Sequence, residues 1–158
     1  MLIRPVQPAD HAAIARVLDA VRREHDVRAR PDAFLDPEEY DLHALYASRR
    51  GNYFVAETDT GIVGGAGFSE LPGGDDSTCE LQRMYLLAEL RGTGVGGQLL
   101  DRVLQAAREL GYRTCYAESM DFMVGARRLY CSRGFELLPG PLGDTGHDFT
   151  TAWYSLTL

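Results

Sequence analysis

Between residues 91 and 97 the chain reads Arg91-Gly92-Thr93-Gly94-Val95-Gly96-Gly97, and an apolar helical stripe follows at once. Few features restrict a fold more. Four closely spaced glycines open backbone angles closed to other residues and let the main chain approach a ligand without Cβ atoms in the way. A helix beginning there leaves its first N–H groups unbonded and presents the positive end of its dipole, which suits a phosphate or pyrophosphate. The turn lies between a strand pattern and a helix pattern, so a mixed α/β domain is expected.

The flanking sequence supports that reading. Strand patterns fall at 2–6, 52–57, 62–68, 78–86, 114–118, 135–138 and 152–156. Helical spacing runs over 10–24 with Asp10 as N-cap, over 38–48 with Leu42 and Leu45 inward, over 95–110 and over 123–133. The third of these buries Leu99, Leu100, Val103, Leu104, Ala107 and Leu110, with Gly111 as its stop. Residues 25–37, with charges and two prolines, read as a loop. Glycines in 62–68 imply close backbone packing. Alternation over 78–86 places Cys79, Leu81, Arg83 and Tyr85 on one face and Glu80, Gln82, Met84 and Leu86 on the other.

Length and charge limit the function. At 158 residues, 45% of them hydrophobic, residues 1–158 are expected to form one domain with a real core, and no repeat or linker interrupts them. The net charge of −7 repels phosphate backbones, so nucleic-acid binding is disfavoured. All 16 basic residues are arginine, which excludes lysine Schiff-base chemistry. Cys79, Cys115 and Cys131 show no Cys-x-x-Cys spacing, and His11, His25, His43 and His147 form no ligand pair, so no metal is expected. No apolar run suits a leader or a membrane span, which points to the cytoplasm and reduced thiols.

Two phosphate-binding readings fit the turn. Gly92, Gly94 and Gly97 satisfy G-x-G-x-x-G, with Glu118 on the next strand placed for a ribose, as in an NAD-binding domain. That fingerprint normally opens the first βαβ unit, whereas here antiparallel-looking strands precede it and little chain follows.

In the second reading, Arg91-Gly92-Thr93-Gly94-Val95-Gly96 resembles the Gln/Arg-x-x-Gly-x-Gly/Ala signature of the GCN5-related N-acetyltransferases (GNAT). Ala126-Arg127-Arg128-Leu129-Tyr130-Cys131-Ser132-Arg133-Gly134-Phe135 is similar to that family's A-x-x-L-Y-x-x-x-G-F segment. Cys79 to Tyr85 and Thr145-Gly146-His147 look like segments of a bacterial subgroup of small-molecule acetyltransferases. The resemblance implies the GNAT fold: a mostly antiparallel, twisted sheet of about seven strands, splayed after the fourth, with about four helices. It implies acetyl-CoA as co-substrate, its pyrophosphate held by Arg91, Gly92, Thr93, Gly94, Val95, Gly96 and Gly97. The pantetheine arm would pair with the backbone of Met84, Tyr85 and Leu86.

By the same resemblance Tyr130 protonates the departing thiolate, and Glu80 takes the proton of an ammonium acceptor. Glu118 would be the rival base or an amine contact, His147 would line the acceptor pocket, and Arg83, with Arg49 and Arg50, would pair with a carboxylate on an amino-acid-like acceptor. Two positions depart from the family pattern: Met123 stands where many relatives carry an asparagine, and Gln98 follows Gly97 in place of a basic residue. The expected activity is acetyl transfer to a primary amine of a small molecule by direct attack in a ternary complex. A non-catalytic acyl-CoA-binding module is the alternative. Homodimers are frequent among the relatives, and neither nucleic acid nor membrane is an expected partner.

Overall fold

A computed structural model describes residues 1–24 and 41–158. The loop expected over 25–37 and the first residues of the 38–48 helix lie outside them. The seven strands are β1 (Leu2–Pro5), β2 (Asn52–Thr58), β3 (Gly61–Glu70), β4 (Thr78–Leu86), β5 (Thr114–Ser119), β6 (Glu136–Leu138) and β7 (Ala152–Thr157). They form one sheet in the order β1-β2-β3-β4-β5-β7-β6. Every pairing is antiparallel except β4 with β5. That pair is joined by the helix α3 (Val95–Glu109), the crossover a parallel pair requires. A sheet with one parallel pair is not doubly wound, which removes the dinucleotide-binding reading of the glycines.

The other helices are α1 (His11–Glu24), α2 (Leu42–Ala47) and α4 (Val124–Ser132). Ile14 and Leu18 of α1 pack with Leu42 and Tyr46 of α2 against Tyr53 and Val55 on one face of the sheet. Leu99, Leu100 and Val103 of α3 and Tyr130 of α4 pack with Phe54, Phe68 and Tyr154 on the other. The α3 stripe follows its 3.6-residue spacing except at its end, where Leu110 is exposed because the helix has already closed. Asp10 also departs from expectation. It closes a 3-10 turn, accepts a bond from the N–H of Gln7 at 2.8 Å, and receives Arg4 at 2.7 and 2.9 Å.

Two features of the sheet place the site. The register of β4 slips: Tyr85 faces Gly65 and Gln82 faces Gly67, so two residues of β3 span three of β4. The extra residue is taken up at Arg83, the one non-glycine with positive φ among the described residues, at 51°. This bulge corrects the expected alternation. Met84 and Leu86 join Cys79 and Leu81 in the α3 layer, whereas Tyr85 joins the α1–α2 layer. The second feature is a fork. β4 pairs with β5 only from Thr78 to Leu81, opposite Thr114 to Ala117, and beyond that point the strands part.

Candidate active site

Past the fork, between the end of β4, the α3 N-terminus and α4, lies a cleft of about 590 Å³, a volume typical of small-molecule sites; Glu80, Glu118, His147 and Tyr130 are not among its lining residues. Met84, Tyr85 and Leu86 line one side, Gly92, Gly94 and Gly96 its floor, and Met123, Ala126 and Leu129 the side of α4. Gly94 caps α3 at φ 94°, a left-handed conformation, and no protein atom would meet a Cβ there. The first bond within α3 runs from the N–H of Gln98 to the carbonyl of Gly94 at 3.1 Å, so the N–H groups of Val95, Gly96 and Gly97 have no helical carbonyl one turn behind them. Arg128 adds positive charge to the lining, while Arg133, also in the lining, is paired with Asp101 at 2.7 and 3.1 Å.

An anionic phosphate end and a slim apolar arm fit these walls. The residues present therefore suit acetyl-CoA, whose phosphates the α3 N-terminus would hold and whose apolar arm the Met84–Leu86 wall would take. Met123, which replaces the asparagine of many relatives, presents an apolar side chain to the same cleft.

Not every residue of the turn faces the cleft. Arg91 does, but its guanidinium is held by Glu24 and donates to the Leu86 carbonyl from Nε at 3.1 Å and Nη2 at 2.9 Å. It thereby ties the glycine turn to α1 and to the end of β4. Val95 is buried in the core, and Thr93 turns its hydroxyl back to the Leu90 carbonyl at 2.6 Å. Tyr130 packs beneath the cleft, its ring 5.5 Å from Phe135 and 5.7 Å from Tyr154. Burial pushes its phenol above the ordinary tyrosine value, so it keeps its proton at neutral pH.

A polar cluster occupies the fork itself. Glu80 lies opposite Tyr116, one step before the last β4–β5 pair, and Glu118 lies one residue past that pair. The segment after β6 carries His147 to both. Its Nδ1 stands 2.9 Å from Oε2 of Glu118 and 3.8 Å from Oε1 of Glu80. The other oxygen of Glu118 accepts from the hydroxyls of Tyr116 at 2.8 Å and Thr145 at 3.0 Å. Oε2 of Glu80 accepts from the Gln82 amide at 2.7 Å, and the Gln82 carbonyl accepts from Tyr46 and Ser69 at 2.9 and 3.1 Å. Two hydroxyls on that carbonyl turn the amide N–H toward Glu80.

These bonds divide the two acids. Glu80 is only 3% exposed, and burial raises its carboxyl above the usual range against the pull of Gln82 and His147. Burial also acts on Glu118, but the bonds from His147, Tyr116 and Thr145 outweigh it and hold that carboxyl low. The bond to Glu118 raises the His147 imidazole. Ligand atoms of Glu80, Glu118 and His147 lie within 4.8 Å of one another, a spacing a metal ion could use. Both Glu118 oxygens are already engaged by protein donors, which favours a hydrogen-bonded ion pair. Arg83 borders the group, and its carbonyl accepts from the Tyr53 hydroxyl at 3.0 Å.

The structure thus brings Glu80, Glu118, His147 and Arg83 together on one side of the fork and lines the cleft with most of the glycine turn. Sequence reasoning passed over Tyr116 and Thr145 as partners of Glu118. The i, i+2 spacing of Tyr116 and Glu118 on one strand face was the available signal for the first.

Comparison with known proteins places this geometry. The acetyltransferase (GNAT) family model matches residues 18–135. An uncharacterised N-acetyltransferase of Escherichia coli, YjgM, is 36% identical over 147 residues, covering 92% of this chain and 88% of its own. Human N-acetyltransferase 8 is 33% identical over 122 residues, and the match spans 49% of its length. Among solved structures, a GNAT acetyltransferase of Staphylococcus aureus superposes with a TM-score of 0.81 at 19% identity, covering 99% and 98% of the two chains. The Salmonella typhimurium acetyltransferase yncA, solved with acetyl-CoA, does so at 0.73 and 23%, covering 99% and 93%. The chain is a member of the GNAT acetyltransferase family, an acyltransferase that uses acetyl-CoA.

Proposed function

We propose that the protein transfers the acetyl group of acetyl-CoA to a primary amine of a small-molecule or amino-acid-like acceptor, by direct attack within a ternary complex. One observation carries the reading: Glu80, a buried carboxylate with one oxygen not taken by Gln82, stands on β4 four residues before Met84, which lines the cleft.

Bound acetyl-CoA supplies the activated acetyl thioester. An alkylammonium acceptor has no lone pair, so a base must take its proton first. Glu80 fits that task, because its raised affinity for protons brings it closer to the working pH than an ordinary glutamate. Glu118 is the weaker candidate, since both its oxygens are engaged and its carboxyl is held low. A backbone N–H at the end of β4 polarises the thioester carbonyl as negative charge develops on its oxygen. Tyr130, kept protonated by burial, donates to the leaving sulfur. Arg83 offers a cation to a carboxylate on the acceptor. The reading also expects a cytoplasmic enzyme, where buried thiols such as Cys79 and Cys115 stay reduced.

The test couples binding to turnover. Acetyl-CoA at about a hundred times its Kd should add roughly 2.7 kcal/mol of stability, read as a rise in Tm, and NAD should add none. In an assay of CoA release over a panel of small amines, Glu80→Gln should lower kcat by about 100-fold or more. Tyr130→Phe should lower kcat with little change in acetyl-CoA affinity. Full turnover in both variants would overturn the assigned roles, and no turnover with any amine would overturn the acceptor class.

A further inference from the structure

We infer that His147, clamped by Glu118, is a positioning residue whose positive charge keeps the buried carboxylate of Glu80 ionised and able to accept a proton. The inference deepens the proposed function, in which Glu80 is the base, and it rests on a set of contacts with a definite polarity.

Nδ1 of His147 points into the gap between two carboxylates, 2.9 Å from Glu118 and 3.8 Å from Glu80. An oxygen that can only accept, at 2.9 Å, requires a proton on that nitrogen. The second carboxylate favours the doubly protonated ring. The segment carrying His147 cannot easily drift, because Glu118 and its neighbours stitch it down. Thr145 donates to Glu118, Tyr116 donates to Glu118 and accepts the N–H of Leu142 at 3.2 Å, and the N–H of His147 bonds Thr145 at 3.3 Å. Glu118 is therefore saturated by the work of holding the imidazole. The Phe149 ring, 5.5 Å from the imidazole, flanks it on the loop side.

The charges facing each group can be weighed. Glu118 and Glu80 both favour the imidazolium, and Arg83 of β4 opposes it. Around Glu80, burial and the Glu118 charge favour the neutral acid, while the Gln82 bond, His147 and Arg83 favour the carboxylate. Tyr116 of β5 and Tyr46 of α2 also face it, each as a neutral phenol. Removing the His147 charge leaves a buried acid beside a second carboxylate. Such an acid holds its proton more tightly, and less of it is ionised at any given pH.

The experiment needs no substrate. Protein labelled with 13C at the glutamate carboxyl carbons is titrated by NMR in its free form, with the Glu80 signal assigned by its loss in Glu80→Gln. The His147 ring is followed in parallel. The expected result has two parts: His147 titrates above the ordinary histidine value, and in both His147→Gln and His147→Ala the Glu80 midpoint moves up by about one pH unit or more. Using both variants separates charge from hydrogen bonding, because Gln can still donate to Glu118. Wild-type behaviour in His147→Gln, a Glu80 midpoint unmoved in His147→Ala, or a His147 midpoint at or below the ordinary value would each overturn the inference. Turnover is read separately. A shifted Glu80 midpoint together with undiminished acetylation by Glu80→Gln would leave the electrostatic inference standing and remove Glu80 as the base.

Discussion

At the scale of single residues, Glu80, Glu118 and His147 differ less in kind than in the partners the fold gives them. The Glu118–His147 pair also has a stability signature with a definite sign. His147 is raised in the folded state, so its contribution is complete below its unfolded value and fades as pH rises through the folded one. Glu118 is lowered, so its contribution is present above its unfolded value and fades as pH falls through the folded one. The stabilisation therefore peaks between those two folded values. It is modest, because the 44% exposure of the histidine side chain lets solvent screen the pair. Glu118→Gln should erase that hump: urea unfolding across pH should show wild type and variant differing near neutrality and converging in acid and in alkali. A constant difference at all pH values would mean the pair is not ionised as described. Each member was legible in the sequence as a candidate, Glu80 and His147 within family-like segments and Glu118 as a carboxylate on the strand after α3. Their sharing of one nitrogen was not, since 29 residues separate Glu118 from His147 and the β5–β7 pairing, with the contacts of Leu142 and Thr145 to β5, brings that segment back.

At the scale of elements, β4 shows how a local irregularity redirects a site. Strict alternation would have put Met84 and Leu86 beside Glu80, and the bulge at Arg83 sends them to the opposite layer, where they wall the cleft. The partner strand permits this because its glycines leave room. A Cβ on Gly67 would lie 2.6 Å from a ring carbon of Tyr53 and 2.9 Å from the Asn52 carbonyl. Gly67→Ala should therefore cost about 1–3 kcal/mol by overpacking, seen as a lower midpoint in denaturant. It should also weaken acetylation, because Tyr53 bonds the Arg83 carbonyl within the bulge. The glycines were readable as a sign of close packing. The bulge was not, because register slips answer to side chains on the neighbouring strand and not to a strand's own period.

At the scale of the whole molecule, one sheet is held between two helical layers, and its first strand is secured by ion pairs as well as by packing. Arg4 bridges Asp10 at 2.7 Å and Glu57 at 2.7 Å, tying β1 to the turn before α1 and to β2. The Arg4 bond lowers the Asp10 carboxyl, so its stabilisation is present above the ordinary aspartate range and is lost as pH falls through the folded value. Asp10→Asn should cost about 2 kcal/mol at neutral pH and nothing measurable in strong acid, by chemical denaturation at each pH. An equal loss at both would point to packing instead of charge. The sequence by itself determined the class of fold, the glycine turn that opens α3, the strand and helix order, and the family those motifs mark. These are written in local spacing, backbone freedom and hydrophobic period, which act over a few residues. Only the tertiary structure decided which of two acids is saturated, which face Met84 presents, and that a loop histidine meets both carboxylates. Those outcomes depend on where β4 and β5 part and on what burial does to a charge, and both are set by residues far apart in the chain.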